Sequence, residues 1–162
     1  MPNNPDRIKI ANADSWKRLK MPEETASLAI DKIYSVEEFE VLSRGLIPEV
    51  MEDKWFIFMR NNWLFFHRSW TGICIYQANF EAKEKEYILK QAIVNQNLKQ
   101  HPVNDLDYEA ALLNWLIDCL LLRKKIAFPL KQNLPQNIPL GIYQHHIAGT
   151  AFPETKQAKD SD

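Results

Sequence analysis

The apolar residues are unevenly spaced along the chain, and their spacing marks the elements. Between Lys54 and Phe80 they crowd into short runs, KWFIFMRNNWLFFHRSWTGICIYQANF, dense in aromatic and branched side chains. Trp55–Met59 and Trp63–His67 read as strands, and Asn61-Asn62 between them tolerates the positive φ angles of a two-residue hairpin turn. That turn sets the register. Arg60 faces Trp63, Phe58 faces Phe65 and Phe56 faces His67 on one side, while Met59–Leu64 and Ile57–Phe66 line the other. Both sides are largely apolar, so the hairpin is expected to be covered on both faces or to line a pocket. A third strand follows the polar corner 68–72, and the charged loop Glu81–Lys85 leads into a fourth. Short connections make an antiparallel meander the simplest topology.

The period then lengthens. Ser35-Val36-Glu37-Glu38 is a capping box that opens a helix over 36–44, burying Val36, Phe39 and Leu42, with Gly45 as its C-terminal cap. Asn104 or Asp105 caps a longer helix, 106–124, in which Leu106, Ala110, Leu113, Leu116, Ile117, Leu120 and Leu121 keep the i, i+3, i+4, i+7 spacing. Leu112, Trp115, Cys119 and Leu122 widen the stripe until the helix is apolar almost all round. Acids at its start (Asp105, Asp107, Glu109) and bases at its end (Arg123, Lys124, Lys125) suit the helix dipole. The pattern predicts an α+β fold. An antiparallel four- to five-stranded sheet, with strands near 54–60, 63–68, 73–80 and 86–94, is packed by helix 106–124 and flanked by helix 36–44. Leu28–Tyr34 is the candidate fifth strand. Residues 1–26, with Pro2, Pro5 and Pro22, read as an N-terminal arm, 27–152 as a single domain and 153–162 as a charged tail.

Composition narrows the function classes. With 162 residues, 46% of them hydrophobic, the chain can bury a core without staples. A net charge of −1 gives no electrostatic footprint for nucleic acid. The start, MPNNPDRIKI, lacks a secretory signal pattern, and the longest apolar run, Ala110–Leu122, is too short to cross a bilayer. Cys74 and Cys119 have no metal-ligand spacing and read as buried free thiols. These features place the protein in the cytoplasm, without nucleic-acid or membrane partners.

The candidate chemistry lies at the corner His67-Arg68-Ser69-Trp70-Thr71-Gly72. Arg68 offers a planar fork of donors for phosphate or carboxylate, Ser69 and Thr71 offer hydroxyls, Trp70 a stacking face and Gly72 close backbone approach. His67 and His146 would border this ligand site. A competing reading makes the corner a strand connection in which the hydroxyls satisfy the turn, Arg68 pairs with a carboxylate and Trp70 joins the core. Neighbouring His145 and His146 would point to opposite sides of an extended chain, and no adjacent ligand set completes a zinc site. No P-loop, GxGxxG, GxSxG or HExxH occurs, so no catalytic residue, metal or cofactor is assigned, and a non-enzymatic role is favoured.

Glu52-Asp53-Lys54-Trp55-Phe56, Phe66 to Gly72 and Ile75-Tyr76 resemble a small family of uncharacterised bacterial proteins marked by a DKWF…HRSWTG…IY pattern. That pattern also stands beside ADP-ribose-processing domains such as macrodomains and ADP-ribosylglycohydrolases. The resemblance covers roughly residues 50–80, with a weaker likeness at 145–149. The family carries no established activity to transfer, and the association makes a nucleotide-diphosphate ligand such as ADP-ribose the one to test. The leading expectation is therefore a cytosolic accessory or ligand-binding domain for a phosphate-bearing nucleotide, in which Arg68→Ala abolishes binding and leaves the melting temperature nearly unchanged. The alternative is a protein–protein interaction or immunity-type protein, a homodimer or the grip on a protein partner, using the apolar surplus of helix 106–124 or the aromatic hairpin.

Overall fold

The hairpin forms in the expected register. Strands β3 (Trp55–Arg60) and β4 (Trp63–Arg68) pair antiparallel, with Phe56 opposite His67 and Phe58 opposite Phe65. Asn61 and Asn62 both take positive φ, 53° and 63°, as a turn matched to strand twist requires. The computed structural model describes residues 9–103 and 105–129; His145, His146 and the tail 153–162 lie outside them.

The meander continues through β5 (Cys74–Lys83) and β6 (Glu86–Asn95), giving an antiparallel sheet flanked by helices, an α+β fold. In place of one extra strand over 28–34, two short strands share the outer edge of β6. These are β1 (Thr25–Leu28) and β2 (Ile33–Ser35), which bring the sheet to six strands. Leu28 and Tyr34 are both buried, while Ala29 and Asp31 between them stay exposed. The intervening chain keeps one backbone bond to the sheet, from Leu89 N–H to Lys32 O at 3.0 Å.

Helix α1 (Val36–Arg44) opens with the complete capping box and closes at Gly45, whose N–H donates to Leu42 O. Helix α2 (Leu106–Trp115) is capped by Asp105, which accepts from Tyr108 N–H. Regular α-helix was expected to run to 124; instead it widens into a π-helical stretch, Leu116–Leu121, closed by Leu122 N–H donating to Ile117 O. All six residues of that stretch are buried. The stretch also seats one buried acid. Asp118, fully buried, accepts from Tyr34 OH at 2.8 Å and from Lys32 Nζ at 2.7 Å. Burial and the adjacent carboxylate push the Tyr34 phenol far above its ordinary range.

The two faces of the sheet are covered differently. Trp55, Ile57, Leu64, Phe66, Tyr76, Ala78 and Phe80 meet α2 and its extension in the main core. Phe56 and Phe58 on the reverse face form a second cluster with Ala11, joined by Ala13, Ile47 and Phe65. Part of that cover comes from the segment read as an arm. Ala11 N–H donates to Arg44 O at 2.8 Å, and Leu19 N–H donates to Gly72 O at 2.7 Å.

Candidate functional site

Alternation along β4 decides where the corner residues go. Successive strand side chains leave opposite faces, so His67 and Arg68 cannot share a site directly. Arg68 lies on the main-core side, its guanidinium 4.8 Å from the centroid of the buried Trp55 ring. Burial lowers its pKa to about 10. His67 lies on the reverse side against Phe56 and Phe58.

The turn uses most of the corner's polar groups. Ser69 N–H donates to Lys54 O, and its hydroxyl donates to Asp53 O at 2.5 Å. Asp53 accepts from Glu49 and Val50 N–H, so the loop before β3 is tied to the corner. Thr71 Oγ1 accepts from Ile73 N–H. Gly72, at φ +81°, donates to Arg68 O and accepts from both Leu19 N–H and His67 Nδ1. Ser69 and Thr71 thus satisfy the turn, as the structural alternative expected. Trp70 does not join the core. It is 56% exposed, its Nε1–H donates to Met51 O at 2.7 Å, and Lys54 Nζ sits 4.2 Å from the ring centroid.

Two clefts result. The first, about 390 Å³, is lined by Lys54, Arg68, Ser69, Trp70, Thr71 and Gln100 with Ile73. It holds two cations, an exposed indole and no carboxylate. Near Arg68 on the main-core side lies a buried network that sequence inspection missed. Glu109, fully buried in α2, accepts from Tyr76 OH at 2.5 Å and from His101 Nε2. Burial first, then the Glu109 carboxylate, raises the Tyr76 phenol well above its ordinary value, while Arg68 acts in the opposite sense. In the sequence Glu109 could face a cleft, but a solvated or capping role is its default reading, because nothing in the helical spacing tells a buried acid from a capping one.

The second cleft, about 350 Å³, lies on the reverse face between residues 18–21 and strands β3–β5. His67 borders it, together with Arg18, Lys20, Arg60, Phe58 and Phe65. Arg60 was legible from the hairpin register, which puts it on the His67 side; Arg18 and Lys20 were not, since only tertiary docking of the arm brings them there. Among the described residues no group of three or more His, Cys, Asp or Glu could hold a metal ion, and no helix is long and apolar enough to cross a membrane. No family model, curated protein or solved structure matches the chain, so the site stands on its own geometry.

Proposed function

We propose that the chain is a cytosolic ligand-binding domain that takes a phosphate-bearing, ring-containing small molecule in the cleft of Lys54, Arg68, Trp70 and Thr71. One observation carries this reading: two cations and an exposed indole line the same cleft, with no acid among the lining residues. Lys54 and Arg68 neutralise the phosphate, the free part of the Trp70 face stacks against the ring, and Thr71 and Gln100 supply hydrogen bonds. Ser69 holds the turn instead of the ligand. ADP-ribose is the first compound to test, on the resemblance of the corner motif.

Isothermal titration with ADP-ribose, ADP and ribose 5-phosphate tests the reading. Saturable binding, lost in Lys54→Ala and in Trp70→Ala, supports it; no binding of any of these compounds, or binding unchanged in both variants, refutes it. Arg68→Ala is a poor probe, because its guanidinium packs on Trp55 and its truncation disturbs the core as well as the cleft.

A second reading rests on a different observation. Trp16, Val50, Met51 and Trp70 form an exposed apolar surface beside the corner. On helix α2 Leu106 is the one large apolar residue left exposed, since Leu112, Leu113 and Trp115 are buried within the chain. A protein-interaction role would therefore use the tryptophan surface. Sedimentation of the wild type and of Met51→Glu distinguishes it: association lost in the variant favours a homodimer through this surface.

A further inference from the structure

We infer that the reverse-face cleft beneath residues 18–21 is a second anion site, built for a small oxyanion such as inorganic phosphate or a phosphate monoester, and that its occupancy is coupled to protonation of His67. The site is independent of the Trp70 cleft, which opens on the other face of the sheet.

The argument begins with charge. The Arg18 and Arg60 guanidinium carbons both lie 5.8 Å from the Phe58 ring centroid, and Arg60 is also 5.4 Å from that of Phe65. Lys20 lines the same cleft, and no carboxylate does. Among the described residues neither arginine forms an ion pair. Arg18 is instead positioned by its Nε–H, which donates to Ala13 O at 2.8 Å. Two guanidinium groups and a lysine thus line one cleft that presents no opposite charge, a lining that suits an anion. Planar donor forks fit the oxygens of phosphate. The stacked Phe58–Phe65 pair, with ring centroids 4.8 Å apart, supplies a rigid floor.

His67 supplies the second, independent observation. It is 2% exposed, and its Nε2 has no hydrogen-bond partner among the described residues. The Gly72 carbonyl can only accept, so Nδ1 carries the hydrogen and Nε2 of the neutral ring is left with an unused lone pair. The groups facing this ring are Arg18 and Lys20 from the arm, Arg60 from β3 and Cys74 from β5. Burial pushes the Cys74 thiol up to about 12, so it stays neutral. Burial holds the His67 pKa below its ordinary value; the hydrogen bond to Gly72 O opposes this, and repulsion from Arg18 adds a smaller lowering. An anion beside Arg18 cancels that repulsion and draws the pKa upward. Reciprocity then requires a given ionic form of the anion to bind more tightly to the protein with His67 protonated than with it neutral.

The test is the pH titration of the His67 imidazole by NMR on histidine-labelled full-length protein, with and without inorganic phosphate and phenyl phosphate. His67→Gln assigns the resonance. The expected result is a phosphate-induced rise of His67 pKa of about one unit, which linkage equates with about tenfold tighter binding of the same phosphate ion to the protonated than to the neutral His67 form. Arg60 is exposed at the end of its strand, so Arg60→Ala should fold and lose the rise; Arg18→Ala should raise the pKa of the free protein and reduce the response. Lys54→Ala should leave the response intact, which separates this site from the Trp70 cleft. A His67 titration that phosphate does not move, or moves equally in Arg60→Ala, overturns the inference.

Discussion

Substituting Gly72 by alanine should cost about 2–3 kcal/mol, and the structure says where that cost arises. Gly72 sits at φ +81°, a region that charges an L side chain about 1–2 kcal/mol. A Cβ built there would lie 3.2 Å from Arg18 Cα and 3.4 Å from Arg18 N, so the arm must give way by a few tenths of an ångström. The arm has little freedom to do so while Leu19 N–H remains bonded to Gly72 O at 2.7 Å. If that bond breaks instead, the loss adds about 1 kcal/mol. Gly45 provides the contrast. At φ +65° its Cβ would stand 2.1 Å from Ile57 O, an overlap with backbone that no side-chain motion relieves. Urea unfolding followed by tryptophan fluorescence should therefore show Gly72→Ala destabilised by about 2–3 kcal/mol with an unchanged m-value. Gly45→Ala should be far more damaged, or fail to fold. Limited proteolysis of Gly72→Ala should cut first within residues 17–20, where Lys17, Arg18 and Lys20 are exposed. A Gly72→Ala protein within about 0.5 kcal/mol of wild type, or as damaged as Gly45→Ala, would refute the reasoning.

Three further outcomes follow from buried polar groups. Tyr76→Phe removes the 2.5 Å donor to fully buried Glu109 and should cost about 1.5–3 kcal/mol by urea unfolding; a neutral substitution would mean that the hydroxyl does not hold that carboxylate. The folded-state pKa of His67 lies below its ordinary 6.5, so the unfolded chain takes up the proton first. Its contribution to stability is complete above about pH 6.5 and is lost as pH falls toward the folded value, by at most about 1.4 kcal/mol per pH unit. The difference in unfolding free energy between wild type and His67→Gln should shrink across that range, and a constant difference would contradict the sign. Cys74 and Cys119 are buried free thiols whose pKa values burial raises, so a disulfide-exchange reagent should leave both untouched in the native protein and titrate both in urea.

What could be read from the sequence was whatever local spacing controls. Asn61-Asn62 specified its own turn, the turn specified the register, and the register placed Arg60, Phe58, Phe65 and His67 on one face before any contact was known. Ser35 and Glu38 likewise marked the helix start to the residue. The corner was harder. Its six residues are contiguous in sequence, which invited reading them as one site, yet strand alternation sends His67 and Arg68 to opposite faces. Ser69 and Thr71 were spent on backbone groups, Asp53 O and Ile73 N–H, whose positions depend on how the loop before β3 folds. The pairing of Asp118 with Tyr34 spans 84 residues and that of Glu109 with Tyr76 spans 33, and no local pattern signals either.

The arm explains why two apolar sheet faces do not imply two equivalent cores. The main face is closed by a helix whose side chains interdigitate with it, and that cover leaves no room for solvent at Phe66 or Ala78. The reverse face is closed by an extended segment, held through Ala11, Trp16 Nε1–H to Ser69 O, and Leu19. Phe56 and His67 are buried beneath it while Phe65 is only half-buried, and the segment carries Arg18 and Lys20 on either side of Leu19. Covering and lining are thus the same act of docking: the bonds that seat the arm also put Arg18 over the Phe58 ring and Lys20 in the lining of the cleft. Loss of the Leu19–Gly72 bond should therefore affect both stability and anion affinity. Arg60→Ala should affect affinity alone, because Arg60 belongs to the sheet and not to the arm.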